Sequence, residues 1–436
     1  MELTVMDGVK SVALVGMGGY GHIYVNALLG AEPASGIQFI AGIDPSPEGC
    51  HRLAEVRQLG IPLFKSLEEF CVAGRADLIV LSSPPQLHCE QACLALGAGS
   101  HVLCEKPLGA HPEQVTQMIE ARDRAGRQLA IGYQWSFSPS IQQLKRDIAA
   151  GRFGRPKRLR TRVYWPRDEK YYGRSPWAGR QRDAQDRLVL DSPANNACAH
   201  HLHNMFYVLG AAPDRSDWPA TVQAELYRGH PIENYDTIAL RCITEHGTEV
   251  LFFASHATRF QRDPLFSYEF DDAIVHYGGK IGDRIIAQRS DGSLIDYGSP
   301  ASADSPQKLF DVLESIREDR PVVCGPEAAG AQTACIYAAQ LSTPNIVDFP
   351  GDLVVVEGDP GERRTSVKDL DVSLDKCYEQ GRLPSEIGIS WSVAGKKIAL
   401  PGQPRAGGNA AGDKDSIGPD AILQPVKTPR RMAVKS

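Results

Sequence analysis

The sequence predicts an α/β protein in which an N-terminal doubly wound domain is followed by an α+β domain with a mostly antiparallel open sheet. Three observations carry this prediction: short apolar runs alternate with helical stretches over the first third, spaced glycines follow the first apolar run, and β-branched and aromatic runs recur between residues 221 and 288. The predicted boundaries are 1–135, 136–400 and a disordered tail at 401–436.

The alternating segments of the first domain follow the pattern of a parallel sheet wound with helices. Strands are predicted at 10–15, 38–44, 61–64, 77–82, 101–104 and 129–133. Helices are predicted at 20–29, 87–96 and 112–125.

After residue 135 the pattern changes to longer and more irregular segments. Helices are predicted at 140–150 and 197–209, a strand at 158–164, and an arginine-rich aromatic loop at 165–187. Runs such as TVQAELYRG and TEVLFFASH predict the antiparallel strands. Two amphipathic helices, at 307–317 and 327–341, are expected to close the second domain.

Composition excludes several classes of function. The 436 residues are 42% hydrophobic and 23% charged, as in an ordinary globular protein, and the net charge of -6 provides no basic surface for nucleic acid. No apolar run reaches the roughly 18 to 20 residues that cross a bilayer. Because Glu2 and Asp7 precede only a short apolar run, a secretory leader is not expected, and the prediction is a cytoplasmic protein.

Ten cysteines are scattered without CxxC pairs, so a disulfide framework is not expected. Cys89 and Cys93 lie beside His88, and a metal clip is one interpretation of that cluster. Buried thiols on one predicted helix explain the pair more simply, and no metal is predicted.

The glycines at 16, 18 and 21 form GxGxxG between the first predicted strand and helix. Gly16 permits a tight turn, Gly18 leaves room for a pyrophosphate, and Gly21 lets the helix pack close to the strand. The helix N-terminus then faces the phosphate charge. This context predicts a Rossmann domain that binds a nicotinamide dinucleotide, with Gly19 and Tyr20 also in contact with it.

Asp44 ends the second predicted strand, where a carboxylate accepts hydrogen bonds from the adenosine ribose and repels a 2′-phosphate. This favours NAD over NADP, although Arg52 lies close enough to keep NADP open. The alternative is that Asp44 only caps the helix after Ser46. Ser82 and Pro84, after the fourth strand, are predicted at the cofactor rim, where a simple turn is the competing interpretation.

The segment HVLCEKPL, residues 101–108, ends the fifth predicted strand with Glu105, Lys106 and Pro107. Together with VGMGGYGHIYVNAL, SSPPQLHCEQACLALGAGSHVLCEKPL, GRFGRPKRLR and a histidine helix ending in Leu209 and Gly210, it resembles the glucose-fructose oxidoreductase, inositol dehydrogenase and rhizopine catabolism family, Gfo/Idh/MocA. The resemblance covers residues 10–345, in the order and spacing of the family.

This resemblance implies a Rossmann domain followed by a domain whose open sheet faces the cofactor and often mediates oligomers, so a homo-oligomer is expected. It implies NAD(P)-dependent hydride transfer at a hydroxyl or carbonyl of a sugar, cyclitol or related polyol. Lys106 would hydrogen-bond the reacting oxygen, Glu105 would orient Lys106, and the peptide before Pro107 is expected to be cis. With His88, both residues are predicted to contact the cofactor. The alternative is a surface Glu-Lys pair before a turn.

Within DSPANNACAHHLHNMFYVLG, the resemblance places His200 at the position of the catalytic histidine of the family. A histidine suits proton transfer because its pKa lies near neutrality. Asn196 stands where the family often has aspartate, and it can orient a hydroxyl but cannot relay a proton. His203 and Asn204 are predicted to lie beside His200 and bind substrate, and one of the histidines at 200, 201 and 203 is expected in the core. Metal binding by His200, His203 and Asp191 is the remaining alternative.

The loop at 165–187 combines aromatic rings with guanidinium groups, a composition suited to a polyol site. Tyr172, Arg174 and Trp177 are therefore predicted to bind substrate, and an interdomain or oligomer contact is the equal alternative. The family usually carries arginine where this chain has Ser136. Tyr133 and Trp135 are predicted to line the pocket instead.

Three functions are compatible with these features. The leading prediction is a dehydrogenase that uses Lys106 and His200 at the reacting hydroxyl. Relatives that retain NAD and cleave glycosidic bonds provide a second, and a dinucleotide-binding regulator without catalysis is a third. The two catalytic candidates argue against the regulator, while Asn196 keeps it open.

Overall fold

The structure, a computed structural model, describes residues 10–31, 36–302 and 306–404. Among these residues, the first third contributes six strands and five helices. The strands are β1 (Lys10–Val15), β2 (Ile37–Ile43), β3 (Leu63–Phe64), β4 (Leu78–Leu81), β5 (His101–Cys104) and β6 (Leu129–Ile131). The helices are α1 (Gly21–Leu29), α2 (Leu53–Gln58), α3 (Leu67–Ala73), α4 (His88–Gly97) and α5 (Pro112–Ala125).

All six strands run parallel in the order β3-β2-β1-β4-β5-β6, the order of a doubly wound Rossmann sheet. The order reverses between β1 and β4, and such sheets bind ligands beyond the carboxyl ends of the strands at this point. The predicted fold of the first domain is confirmed. Its sixth strand is shorter than predicted because a 3-10 turn, Gln134–Phe137, begins soon after Ile131.

The rest of the described chain contains twelve strands and six helices. The strands are β7 (Pro156–Tyr164), β8 (Pro219–Arg228), β9 (Thr237–Thr244), β10 (Glu249–Ser255), β11 (Arg262–Phe270), β12 (Ala273–Tyr277), β13 (Ile285–Arg289), β14 (Leu294–Gly298), β15 (Val347–Asp348), β16 (Val354–Glu357), β17 (Arg364–Val367) and β18 (Ile398–Ala399). The helices are α6 (Pro139–Ala149), α7 (Glu169–Gly173), α8 (Ala199–Leu209), α9 (Gln307–Arg317), α10 (Pro326–Ser342) and α11 (Leu370–Gln380).

Ten of these strands form one open sheet, and β16 and β17 form a separate hairpin. Only the pairs β10–β7 and β15–β8 are parallel, so the prediction of a mostly antiparallel sheet is confirmed. The inner face of the sheet packs against α6, α8 and α10 through alternate buried residues such as Val222, Ala224 and Leu226.

Helix α10 is not amphipathic, contrary to the sequence prediction. Almost all of its side chains are buried, because it lies between α5 of the first domain and α8 and β8 of the second. A Cβ on Gly330 would lie 2.7 Å from Cγ1 of Val115, so glycine permits this close approach to α5. Arg122 of α5 also pairs with Glu327 of α10 at 2.7 Å. The domain boundary near residue 135 stays a prediction, since this later helix returns to the first sheet.

The outer face of the large sheet is covered in part by residues after 342, where the sequence analysis assigned no element. Leu370 and Leu374 of α11 and the following Trp391 belong to one apolar cluster with Tyr227 and Phe253 of the sheet. Ion pairs surround this cluster, with Arg162 3.0 Å from Asp375 and Arg262 2.8 Å from Asp371.

The boundary of the predicted tail stays a prediction, although two of its first residues contact the second domain. The carbonyl of Pro401 accepts a hydrogen bond from the Trp218 indole at 2.9 Å, and Gln403 donates to the Glu327 carbonyl at 2.8 Å. Residues 405–436 lie outside the described residues. All ten cysteines are unpaired. Among the helices described, none has both the length and the apolar character to cross a membrane.

We expect Leu374→Ala to lower the free energy of unfolding by about 2 to 5 kcal/mol, because a buried leucine leaves a cavity beneath α11. Val372→Ala on the same helix is the matched control, since its side chain is 60% exposed. Urea unfolding of both variants measures the difference. Equal stability of the two variants would contradict the packing of α11 on the sheet.

Candidate active site

The glycine turn after β1 requires its first and third glycines for reasons internal to the chain. Gly16 has φ +80°, and a Cβ there would lie 2.5 Å from the Ser82 carbonyl oxygen. A Cβ on Gly21 would lie 2.0 Å from the Gly16 carbonyl oxygen. The turn that joins β1 to α1 therefore cannot form with a side chain at either position.

Gly18 is different, because packing within the protein does not require a glycine there. A Cβ at this position would have its nearest described neighbour at 3.6 Å, in Gly49. The space beside Gly18 and the N-terminus of α1 is thus a cradle that a side chain would occupy. It fits the pyrophosphate of a dinucleotide, whose charge the helix N-terminus favours.

Asp44 follows β2 and holds the glycine turn. Its carboxylate accepts the Met17 N–H and the Ser46 N–H, each at 2.8 Å. The capping bond to Ser46 is present, but each carboxylate oxygen retains a lone pair for a ribose hydroxyl. Arg52 forms an ion pair with Glu55 at 2.6 Å, so its charge is already compensated.

His88, at the start of α4, connects two loops at the carboxyl ends of the strands. Its ring is buried and contacts two backbone carbonyls, that of Pro107 at 2.8 Å and that of Ser83 at 3.0 Å. It therefore ties the loop after β4 to the loop after β5. Ser82 is half-buried and Pro84 is exposed, and both follow β4, so their contact with a cofactor stays a prediction.

The Glu105 carboxylate is buried and does not pair with the Lys106 ammonium. It pairs with the buried ammonium of Lys308 on α9, and it accepts from the Tyr24 hydroxyl at 2.5 Å. It also accepts from the backbone N–H of Lys106 at 3.1 Å. Sequence reasoning missed Lys308, although a lysine on the same helix face as Val312 was a usable signal. The Lys106–Pro107 peptide is cis, as expected.

The Lys106 side chain points toward the second domain and meets Asn196. Its Nζ lies 3.0 Å from the Asn196 carbonyl oxygen and 3.2 Å from Oδ1 of the same residue. Burial lowers the pKa of Lys106, and the charge of Glu105 opposes that effect. The structure thus brings together two predicted catalytic residues that are 90 positions apart.

Asp191 lies behind this pair and was considered in the sequence only as a metal ligand. It accepts from the Asn196 amide at 2.8 Å and from the Gly179 N–H at 2.6 Å. Its other partner is Arg174, at 3.3 Å. Burial raises the pKa of Asp191, and the charge of Arg174 opposes this. Lys106, Asn196, Asp191 and Arg174 therefore form one connected chain of polar groups.

His200 lies on the first turn of α8, with its ring edge against Tyr133 at a centroid distance of 5.7 Å. Its Nδ1 is buried and lacks a hydrogen-bond partner among the described residues. Burial, followed by the charges of Lys106 and Lys308, holds the pKa of His200 well below its usual value. The imidazole is therefore neutral near pH 7 and able to accept a proton.

His203 and Asn204 are interior residues. The His203 ring stacks on Tyr133 at 3.9 Å and contacts the Ser136 hydroxyl at 2.9 Å. Asn204 donates to the Tyr268 hydroxyl at 3.3 Å, beneath the sheet. Both are completely enclosed by protein. This enclosure separates them from any surface that a substrate could reach.

His201 is the core histidine that the pattern anticipated, together with His203. Its ring meets Trp135 at 4.7 Å and Trp165 at 5.6 Å. Burial lowers the pKa of His201 to about 3. Trp135 is itself buried against this ring, and Tyr133 is buried between the histidines. No three His, Cys, Asp or Glu side chains of the described chain are grouped as metal ligands.

The aromatic loop is held by the β16–β17 hairpin, which the sequence did not predict. The Glu169 N–H donates to the Arg363 carbonyl at 2.9 Å, and the Gly361 N–H donates to the Glu169 carboxylate at 2.7 Å. Tyr172 is half-buried and contacts the His256 ring at 3.3 Å. Arg174 lies between two rings of the loop, 3.8 Å from Tyr171 and 5.1 Å from Trp177.

Comparison with known families agrees with this arrangement. Residues 10–133 match the model of an oxidoreductase family with an NAD-binding Rossmann fold. The chain is 30% identical to the rhizopine catabolism protein MocA of Rhizobium meliloti over 33% of its own length and 43% of that protein. It is 34% identical to inositol 2-dehydrogenase 4 of Saccharopolyspora erythraea over 33% and 42% of the two chains. The chain thus spans less than half the length of these relatives.

Solved structures extend the likeness to the second domain. The WlbA dehydrogenase of Bordetella pertussis, in complex with NADH and UDP-GlcNAcA, has a TM-score of 0.63 at 23% identity, over 77% of this chain and 97% of that chain. A levoglucosan dehydrogenase in complex with NADH has a TM-score of 0.61 at 16% identity, over 76% and 95%. At these identities the likeness establishes the fold.

We expect His201→Phe to remove part of the acid sensitivity of the protein. The folded-state pKa of His201 lies at about 3, below the usual 6.5, so the unfolded chain gains the proton first as the pH falls. The wild type should therefore lose about 2 kcal/mol more unfolding free energy than His201→Phe between pH 7.5 and 5.

Urea titrations at the two pH values measure this difference. The matched control is His246→Gln, because Asp217 raises the pKa of the exposed His246 and its contribution has the opposite sign. If the wild type and His201→Phe lose equal free energy, His201 is not held neutral in the fold.

Proposed function

Since residues 10–133 match the model of the Gfo/Idh/MocA oxidoreductase family with its NAD-binding Rossmann fold, we propose that this chain is an NAD(P)-dependent dehydrogenase acting on a hydroxyl or carbonyl of a sugar, cyclitol or related polyol. The observation that supports this best is the Lys106 ammonium, which leaves the carboxyl end of β5 and is fixed 3.0 Å from the Asn196 carbonyl. A donor fixed in advance is what an oxygen with developing negative charge requires.

The cofactor, when bound, accepts or returns a hydride at the substrate carbon. Lys106 donates a hydrogen bond to the substrate oxygen, and the lowered pKa of its ammonium makes it a better donor to an alkoxide. His200, kept neutral by burial and two nearby lysines, accepts the hydroxyl proton. When a carbonyl is reduced, protonated His200 returns the proton, while Lys106 donates to the same oxygen as in oxidation.

Asn196 positions the Lys106 ammonium and connects it, through hydrogen bonds, to the negatively charged Asp191. Its amide oxygen faces Lys106 and its amide nitrogen faces the Asp191 carboxylate. The asparagine therefore links the ammonium to a buried carboxylate without holding a charge itself. In this interpretation Asp191 supplies the negative charge that the family often has at position 196.

NAD is the proposed cofactor. The Asp44 carboxylate would accept from the ribose hydroxyls and repel a 2′-phosphate, and the nearby Arg52 is already paired with Glu55. We also propose a cytoplasmic location, consistent with ten unpaired cysteines. A homo-oligomer is supported by Ile274 and Leu294, which are exposed on the uncovered strands of the large sheet.

We expect Lys106→Met to lower kcat about 100- to 1,000-fold, because one fixed donor to the reacting oxygen is lost. NADH formation with a panel of sugars, inositols and sugar acids measures the rate, and calorimetry checks that NAD still binds. Lys157→Met is the control, since Lys157 forms a half-exposed surface pair with Asp271. Undiminished turnover in Lys106→Met would exclude this role, and glycoside cleavage without net NADH would replace a dehydrogenase with an NAD-dependent glycosidase.

We expect Asn196→Asp to move the acidic limb of the kcat/KM profile upward by about one pH unit. The added carboxylate would neutralise Lys106, whose charge helps lower the pKa of His200, and a base with a raised pKa is protonated at higher pH. Asn196→Ala changes the side chain without adding charge and serves as the control. Identical acidic limbs in the wild type and Asn196→Asp would rule out His200 as the base.

A further inference from the structure

Arg167 in the aromatic loop has no acidic partner among the described residues. Its Nε is buried and makes no hydrogen bond, and its guanidinium lies 4.7 Å from the Tyr171 ring and 5.9 Å from the Trp165 ring. The adjacent Asp168 carboxylate is engaged by the Tyr171 N–H at 2.9 Å. The backbone of Arg167 is fixed on both sides, by His256 and by His230.

Arg167 lies beside the polar chain of the candidate site, because its guanidinium and that of Arg174 contact the same Tyr171 ring, at 4.7 and 3.8 Å from the centroid. Arg174 pairs with Asp191, which Asn196 links to Lys106. Burial raises the pKa of Cys198 to about 12, and the charges of Arg167 and then Lys106 oppose that rise. Cys198 is the residue before α8, and no side chain caps this helix end. The unpaired guanidinium, the ammonium and a helix N-terminus therefore contribute positive potential to one region.

The Asp191 carboxylate in this region is already occupied. Asp191 is buried and accepts from Arg174, Asn196 and the Gly179 N–H. The two buried carboxylates of this region, Glu105 and Asp191, are paired with Lys308 and Arg174, and both act on Lys106. Neither of them pairs with Arg167, whose positive charge is left over. The remaining positive charge would be compensated by an anionic ligand.

We propose that the substrate is a sugar acid or other polyol carboxylate and that Arg167 binds its carboxylate. This inference rests on the proposed dehydrogenase function and specifies its substrate class. The planar guanidinium presents paired N–H groups that match the two oxygens of a carboxylate. A neutral polyol would leave the guanidinium without an anion in a half-buried site.

The test compares D-glucuronate and D-gluconate with D-glucose and D-glucose 6-phosphate as substrates of the full chain with NAD. The wild type is expected to prefer an acid over glucose by at least about tenfold in kcat/KM. Arg167→Met should reduce that preference about 10- to 100-fold, mainly through KM, and Arg167→Lys should restore part of it. Arg259→Gln removes an exposed arginine and should keep the wild-type preference.

An equal loss for acids and glucose in Arg167→Met would overturn the inference, as would a preference for the phosphate. If no compound is oxidised, the test is the midpoint temperature of thermal unfolding, measured in saturating NAD with and without each acid. Stabilisation by an acid in the wild type but not in Arg167→Met supports the carboxylate site, and no stabilisation by either acid refutes it. Turnover of glucose alone refutes the carboxylate and keeps the dehydrogenase, while absence of NAD binding refutes the dehydrogenase itself.

Discussion

The buried Glu105 carboxylate is the constraint from which the site is built. A carboxylate enclosed by protein is costly unless cations and hydrogen-bond donors surround it. Lys308 of α9 provides the charge, while Tyr24 of α1 and the N–H of Lys106 provide hydrogen bonds. The Glu105 carboxylate therefore joins three elements, namely the end of β5, helix α1 and helix α9. The direction in which Lys106 leaves β5 is set by this meeting.

From Lys106 onward, polar contacts continue without interruption into the second half of the chain. The ammonium meets Asn196, Asn196 meets Asp191, and Asp191 meets Arg174 in the aromatic loop. The hairpin of β16 and β17 holds that loop from outside. The geometry around the Lys106 ammonium thus depends on contacts made by residues distant in sequence, and each link is a hydrogen bond or ion pair with a defined direction.

The sequence predicts features that local chemistry determines. The glycine at position 16 predicts the turn, because its φ of +80° is one that other residues rarely adopt. The short apolar run of β5 leads directly to Lys106. Features that depend on distant partners were missed, such as the pairing of Lys308 with Glu105. Helix α10 was taken as amphipathic because its alanines give no warning that two neighbours cover it. Helix α11 was missed although Leu370, Leu374, Cys377 and Tyr378 recur at helical spacing, so the sequence did contain a usable signal there.

Helix α10 also has a consequence for biosynthesis. It packs against α5 and β6 of the Rossmann domain, yet it is translated roughly 200 residues after β6 is complete. At about 5 to 20 residues per second, the ribosome needs on the order of 10 to 40 seconds to supply it. During that interval the nascent first domain carries an uncovered apolar surface and a Glu105 carboxylate without Lys308. Chaperone engagement of the growing chain should therefore be strongest between the emergence of β6 and that of α10.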